Sequence, residues 1–392
     1  VNVVFVNHQD FLSNSAVHIF HIANELATRG TPCTVVVPAH KQTVHRLGTP
    51  RFDVLTFREA LQNRARFPSD SLIYAWTPRE IVRQQTCALA TLLRVPYMVH
   101  MEDNEAAILE AQTGLSAGEL TALSPDALDR AVGPHCAHPV RSQEFLSGAA
   151  GVSVIIQSLK EQVPPPVPTV TLWPGYDTER FKPAPRNDRL RARYGAKDSD
   201  FLVVYTGGTH RANAAEVTSL YAAVALARQR GIPARLVRTG QQANRLRNRV
   251  LGRTPHYCKE LGYVARDRLP AILAMADAVI QPGAPGPFND YRFPSKLPEF
   301  FAMQRPVVLP FSNIGRFMED EKHCLLLRNG GAEEIADKIE QLYRDRPLAD
   351  RLAVNGRIFA EEHFQWPHTV DRLLQFWNSH RAAFPMTGTE YP

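Results

Sequence analysis

The chain has 392 residues, 44% of them hydrophobic, and a formal charge of +6 from 45 basic and 39 acidic side chains. That length supports a large core and favours two domains or more. The charge is mild and scattered, which argues against a nucleic-acid partner and fits an anionic small ligand or a loose contact with an acidic membrane surface. From the N-terminus, VNVVFVN is a continuous apolar strand, HQDFLSNS a polar turn, AVHIFHIANELATRG an amphipathic helix and TPCTVVVP a second strand. Continuous β-branched runs alternating with helices predict a parallel sheet covered on both faces. Ile19, Ala23 and Leu26 share one helical face, and Gly30 is a C-terminal stop. SLIYAW and PYMVHMEDNE read as further strands with the helix IVRQQTCALATLLR between them, and GVSVIIQS and PTVTLWPG close this half. Residues 111–139 are more weakly patterned and cap it as helices and loops.

A Pro-rich stretch, WPGYDTERFKPAPRND, precedes a second cycle of the same pattern. FLVVYTGG is a strand ending in glycines, ANAAEVTSLYAAVALARQRG a helix and ARLVRTG a strand. YCKELGYV, the helix RDRLPAILAMAD, the strand AVIQPG, a short helix and the strand PVVLPF continue it. Two βα halves joined in this way imply two doubly wound domains facing one cleft.

The segment PSKLPEFFAMQRPVV carries the most chemistry. A helix N-terminus near Ser295 presents unpaired backbone N–H groups and the positive end of a dipole, a seat for phosphate, and Lys296 adds a full charge. Glu299, about one turn on, is placed to accept sugar hydroxyls. The pair suits a nucleoside diphosphate; the plainer reading is a capped core helix with an exposed Lys and Glu.

Four segments in order resemble the retaining, nucleotide-sugar-dependent glycosyltransferases of family four (glycosyl transferases group 1), which have the GT-B fold. VTLWPGYDTERFKP is similar to that family's interdomain turn, FLVVYTGG to the first strand of its nucleotide-binding domain, ELGYVARDRLPAILAMADAVIQPG to the strand–helix–strand that holds the base, and PSKLPEFFAMQRPVVLP to its signature helix and following strand. The resemblance implies an α/β protein of two Rossmann-like domains: an acceptor-binding domain over 1–174 and a nucleotide-sugar-binding domain over 175–365. A C-terminal helix within 366–392 would pack back on the first.

Residue by residue, Glu299 matches the second acid of the family's Glu-x7-Glu motif, which accepts the ribose hydroxyls. The first acid falls at Tyr291, with Asp290 next door as a substitute. Gly207 and Gly208 match the glycine turn at the diphosphate. The family's Arg and Lys there are replaced, the latter by Asn213, and Arg211, Arg292 or Lys296 would restore the charge, with Lys296 favoured. Tyr263 and Val264 lie where the base is recognised, largely by backbone. His100 matches a His that meets the donor sugar, its position at a strand's carboxyl end pointing into the cleft. Glu102 and Asp103 follow it in an acidic loop suited to acceptor hydroxyls, and Asn14 and Ser15 lie where the family has a glycine-rich loop and also serve as a helix N-cap. Gln304 stands where a helix-ending Gly is usual.

The implied reaction moves a sugar from a nucleoside-diphosphate sugar to a hydroxyl of a carbohydrate, lipid-linked or small-molecule acceptor, with retention, in glycan, polysaccharide or glycolipid synthesis. Lys296, Arg211 and the amides near Ser295 would stabilise the departing diphosphate. A cation-rich diphosphate site would make a bound metal unnecessary, and no cofactor is implied. Two other readings stay open: an epimerase or inverting transferase using His100 or Asp103 as base, and a non-catalytic nucleotide-sugar-binding subunit. Five dispersed cysteines without a CxxC pair, no membrane-spanning apolar run and no signal-peptide pattern give the expectation of a cytoplasmic protein, at most peripheral at the inner face of the membrane.

Overall fold

Apolar runs alternate with helices along the chain, and most of those runs become buried parallel strands. The computed structural model describes residues 2–209, 213–240, 255–380 and 382–384. They fall into two units: Val1–Gly175 with Tyr291–Phe293 and Trp366–Pro392, and Tyr176–Asp290 with Pro294–Gln365.

In the first unit, seven strands among the described residues are β1 (Val3–Val6), β2 (Cys33–Val37), β3 (Asp53–Thr56), β4 (Leu72–Trp76), β5 (Tyr97–Met101), β6 (Val152–Val154) and β7 (Thr169–Thr171). They pair in parallel in the order β3-β2-β1-β4-β5-β6-β7. The helices are α1 (Asn14–Thr28), α2 (Phe57–Gln62), α3 (Glu80–Leu93), α4 (Glu105–Thr113), α5 (Ala117–Ala122), α6 (Pro125–Ala131) and α7 (Pro139–Ser147). Two strand readings need correction. The short edge strand β3 had no apolar run to announce it, and GVSVIIQS leaves the sheet after Val154, turning as a 3-10 helix over Gln157–Gln162. Ile155 and Ile156 are buried all the same, and an apolar run marks burial, not pairing.

The helix Trp366–Ser379 packs on α1. Its Trp377, Leu373 and Val370 share one core with Ile19, Ala23 and Leu26, the His21 ring stacks on Trp366 at 5.0 Å, and Arg29 pairs with Asp371.

The second unit has β8 (Phe201–Thr206), β9 (Ala234–Thr239), β10 (Cys258–Glu260), β11 (Ala278–Ile280), β12 (Val307–Pro310) and β13 (Leu325–Leu327), ordered β10-β9-β8-β11-β12-β13, with α8 (Asp188–Arg193) and α9 (Ala214–Gln229) among its helices. Its core joins β8, β9 and α9 to the helix Ala332–Arg344. In each sheet the strand order reverses at one point, β1/β4 and β8/β11. Ligands of doubly wound sheets bind outside the carboxyl ends of the strands at such a point. All five cysteines are free, and among the described residues no helix is long and apolar enough to cross a membrane.

Candidate functional site

The second unit's switch point is built from glycines. After β8 the chain runs through Gly207 and Gly208. Gly207 N–H donates to Thr239 O at 3.1 Å, and Gly240 N–H to Gly262 O at 2.7 Å. Gly240 adopts φ +106°, and a Cβ there would collide with the Gly207–Gly208 backbone. Three turns thus pack backbone on backbone, which only glycine permits. Gly240→Ala is therefore expected to lower stability by about 2–4 kcal/mol, read by thermal melting.

Lys296 lies against this loop. Its Nζ is 3.2 Å from the Tyr205 hydroxyl and 4.4 Å from that ring's centroid, and a Cβ on Gly207 would strike it. Gly207 therefore makes room for an ammonium beside a glycine turn. Sequence reasoning missed Arg238, which is buried under the same turn: its guanidinium donates to Gly207 O at 3.0 Å and Thr209 Oγ1 at 2.6 Å, and pairs with Glu260 at 2.9 Å. Asn213 Nδ2 donates to Gly208 O at 3.0 Å. Gln281, just past β11, is buried, and its Oε1 finds no partner among the described residues.

Glu299 is buried on the helix Leu297–Ala302 and accepts at Oε1 from Arg266. Burial pushes its carboxyl above the usual range, against the pull of Arg266, Arg180 and Lys296. Arg266 was not singled out from sequence; it sits in the basic run after Gly262, and a basic surface helix gives no reason to expect a buried acid beside it. The N-terminal anion seat expected near Ser295 is corrected. The helix has six residues and starts at Leu297, with Lys296 as an N-cap whose side chain does not cap the helix, so Ser295 stands outside it.

The other expected groups fall elsewhere. Asp290 accepts from Gly286 N–H at 3.1 Å, Ser312 Oγ at 2.7 Å and Arg316 Nη2 at 3.0 Å, a bracing role that occupies both carboxylate oxygens. Tyr291 and Arg292 group with the first unit. Tyr291 donates to Glu161 at 3.0 Å, and Arg292 acts on the Asp103 carboxylate. Tyr263, exposed, and Val264, half-buried, are not displaced: they directly follow Gly262 of the glycine cluster. Arg211 lies outside the described residues.

In the first unit, buried polar groups gather at the carboxyl ends of β1, β4 and β5. His100 Nδ1 is 2.8 Å from Ser153 Oγ, which also meets the Tyr74 hydroxyl, and the Trp76 ring lies 4.1 Å from the imidazole. Burial lowers the His100 imidazole to about 3 and that of His8 to about 4, Arg79 adding to the latter, so both are neutral at pH 7. His100 Nε2, His8 Nδ1, Asn7 Oδ1 and Thr77 Oγ1 find no partner among the described residues. Thr77 also holds φ +81°, an outlier for a β-branched residue. Buried polar atoms left unpaired are costly and mark places where a ligand supplies the missing bonds. Asn7, His8 and Thr77 were not anticipated; each follows an apolar strand directly, and that was their only sequence signal.

Glu102 is consumed internally. It accepts from Ser15 Oγ and lies 2.8 Å from His18 Nδ1. Burial alone would raise it, but His18 and Ser15 hold it well below the usual carboxylate range. Ser15 is therefore bound to Glu102, and the cap of α1 is Ser13, whose Oγ accepts from Ala16 N–H at 3.2 Å, which corrects the assignment of Asn14 and Ser15 as N-cap. Asn14 is exposed. Arg79 bridges Asp103 at 3.7 Å and Glu105 at 3.0 Å.

Residues 200–345 match the family model described as glycosyl transferases group 1. No curated protein matches the chain by sequence. Solved structures match it in fold. Alr3699/HepE from Anabaena, in complex with UDP and glucose, is 17% identical with a TM-score of 0.71, over 96% of this chain and 99% of that one. Sucrose-phosphate synthase from Thermosynechococcus elongatus is 15% identical with a TM-score of 0.71, over 97% and 99%. WaaG, a glycosyltransferase involved in lipopolysaccharide biosynthesis, is 16% identical with a TM-score of 0.65, over 99% and 100%. The two parallel-sheet α/β units are those of the GT-B glycosyltransferase fold.

Proposed function

We propose that this chain is a glycosyltransferase that moves a sugar from a nucleoside-diphosphate donor to an acceptor hydroxyl with retention of anomeric configuration. The observation that carries this reading is the Lys296 ammonium seated on the Gly207 turn at the second unit's switch point. The family match over 200–345 and the UDP-bound HepE structure support it.

In this reading the diphosphate lies on the Gly207–Gly208 turn against Lys296. Arg238 fixes the turn from beneath by holding the Gly207 carbonyl. Arg266 anchors Glu299 at Oε1, leaving Oε2 to accept a ribose hydroxyl. As the anomeric bond breaks, charge grows on the leaving phosphate, and a cation fixed beforehand stabilises that charge without reorganising. The acceptor oxygen attacks from the face the diphosphate leaves, and no protein nucleophile is committed. The fixed cations do the work a metal would otherwise do. Within the first unit, His100, His8, Asn7 and Thr77 carry unpaired buried atoms suited to binding sugar hydroxyls. The free thiols fit a reducing, cytoplasmic setting.

A transfer assay over UDP-, GDP-, ADP- and dTDP-sugars, with NMR of the product's anomeric configuration, tests the reading; an inverted product or an epimerised donor would replace it with the corresponding alternative. Glu299→Gln is expected to weaken nucleotide binding about 10- to 100-fold, the worth of a hydrogen bond to a charged group, measured by calorimetry with the nucleoside diphosphate alone.

A further inference from the structure

The first unit holds a second concavity, of about 220 Å3, lined chiefly from α4, α5 and α7. Met101, Leu109, Leu120 and Leu146 line it and are each at most 4% exposed. Ala106 and Ala117 line it too but are exposed, so they mark its mouth. One acid, Glu105, is buried among these residues, and its carboxyl is pushed up to about 7 by burial, against Arg79. Apolar walls with a few polar groups are the composition of a small-molecule site, but whole-ligand sites run from ~300 Å3 upward, so this one takes only one end of a molecule. It is also too narrow for a helix or a second copy of the chain.

Its position identifies the rest of that molecule. Pro78, in the wall, follows Thr77; Met101, also in the wall, precedes Glu102. Arg79 reaches Glu105 in the pocket with Nε and Asp103 outside it with Nη2. One guanidinium therefore separates the apolar pocket from the polar groups at the switch point. We propose that the pocket binds an apolar group carried by the acceptor next to its reacting sugar, an alkyl chain or a ring, so that the acceptor is an amphiphilic glycoside or alcohol and not a purely polar saccharide. This rests on the transferase reading. A ~150 Å3 apolar cavity accepts benzene, so by proportion this one takes about nine carbons.

The test is calorimetric titration of the full chain with butyl, hexyl, octyl and decyl glucosides below their micelle concentrations and without nucleotide. Affinity is expected to rise about fourfold per methylene and to level off near nine carbons. Ala106→Trp and Ala117→Trp, two exposed positions on different helices, are expected to fill the mouth and abolish that rise while melting as the wild type does. Equal affinities for butyl and octyl glucoside, or an unchanged series in both variants, would overturn the proposal. Release of nucleoside diphosphate from the donor, followed separately, is expected to survive in both variants. Chain-dependent binding in a protein that turns over no nucleotide sugar would support the apolar site and instead sink the transferase reading.

Discussion

Replacing Lys296 with alanine is expected to lower kcat for sugar transfer by about 10²- to 10³-fold, the usual loss when one preorganised stabiliser of a developing oxyanion is removed. The argument rests on place and on burial. Lys296 is half-buried, its ammonium rests on the Tyr205 ring, and it lies where a side chain on Gly207 would strike it. An ammonium in such a place is worth more than one in water, because the local dielectric is lower. The Tyr205 hydroxyl and ring hold it there before donor arrives, so little ordering remains to be done in the transition state. The measurement is single-turnover release of nucleoside diphosphate, with Lys296→Arg as a second variant. Arginine keeps the charge, but its planar fork does not fit a point-charge seat above a ring and under a glycine turn; it is expected to recover part of the rate. Tyr205→Phe removes the hydroxyl but keeps the ring, and is expected to cost less than tenfold. An unchanged kcat in Lys296→Ala would show that the diphosphate lies elsewhere.

How far the sequence reaches into this molecule depends on what each feature rests on. Strands such as VNVVFVN and FLVVYTGG were legible because β-branched runs buried on both faces have no other comfortable conformation. The edge strand β3 was not, since a half-exposed edge needs no apolar run. The Gly207 turn and Lys296 were legible as types, and the structure adds that they touch. Arg238 and Arg266 were not, because nothing local distinguishes an arginine that reaches across strands from one in solvent. The pairing of Ser15 and His18 with Glu102 joins residues more than eighty positions apart and depends wholly on the sheet bringing α1 and the end of β5 together. Gln304 shows the limit in the other direction. Its place where glycine is usual suggested a left-handed residue, and it holds φ +52°; a Gln there tolerates a small strain that glycine would remove.

Acidification gives the second large effect, and its sign depends on the window. Between pH 7 and 4.5 opposing groups offset one another only in part. Glu105, raised to about 7 by burial, keeps its proton in the folded state after the unfolded chain has lost it, so it adds stability as pH falls. His8 and His100, lowered to about 4 and about 3 by burial, stay neutral in the folded state while the unfolded imidazoles protonate below about 6.5, so they remove stability as pH falls. Glu105 offsets only one of the two imidazoles, so stability over that range is expected to decline gently, by about 2 kcal/mol in all. Below pH 4.5 even that partial offset ends. Glu105 is protonated in both states and adds nothing more, while His100 continues to cost stability down to about 3. Glu102 joins it: its carboxyl is held below the usual range by His18 and Ser15, so the unfolded chain takes up a proton that the folded one refuses. From pH 4.5 to 3 these two groups together remove on the order of 4 kcal/mol, a large share of the stability of an ordinary domain. The first unit is therefore expected to unfold steeply in that range. All four tryptophans, Trp76, Trp173, Trp366 and Trp377, belong to that unit, so intrinsic fluorescence reads it selectively. Glu102→Gln is expected to melt lower at pH 7, since it leaves His18 and Ser15 with a poorer partner, yet to show a shallower loss below pH 4.5. A fluorescence signal that holds steady to pH 3, or a Glu102→Gln profile as steep as the wild type, would mean that the Ser15–Glu102–His18 cluster does not carry its charge into the folded state.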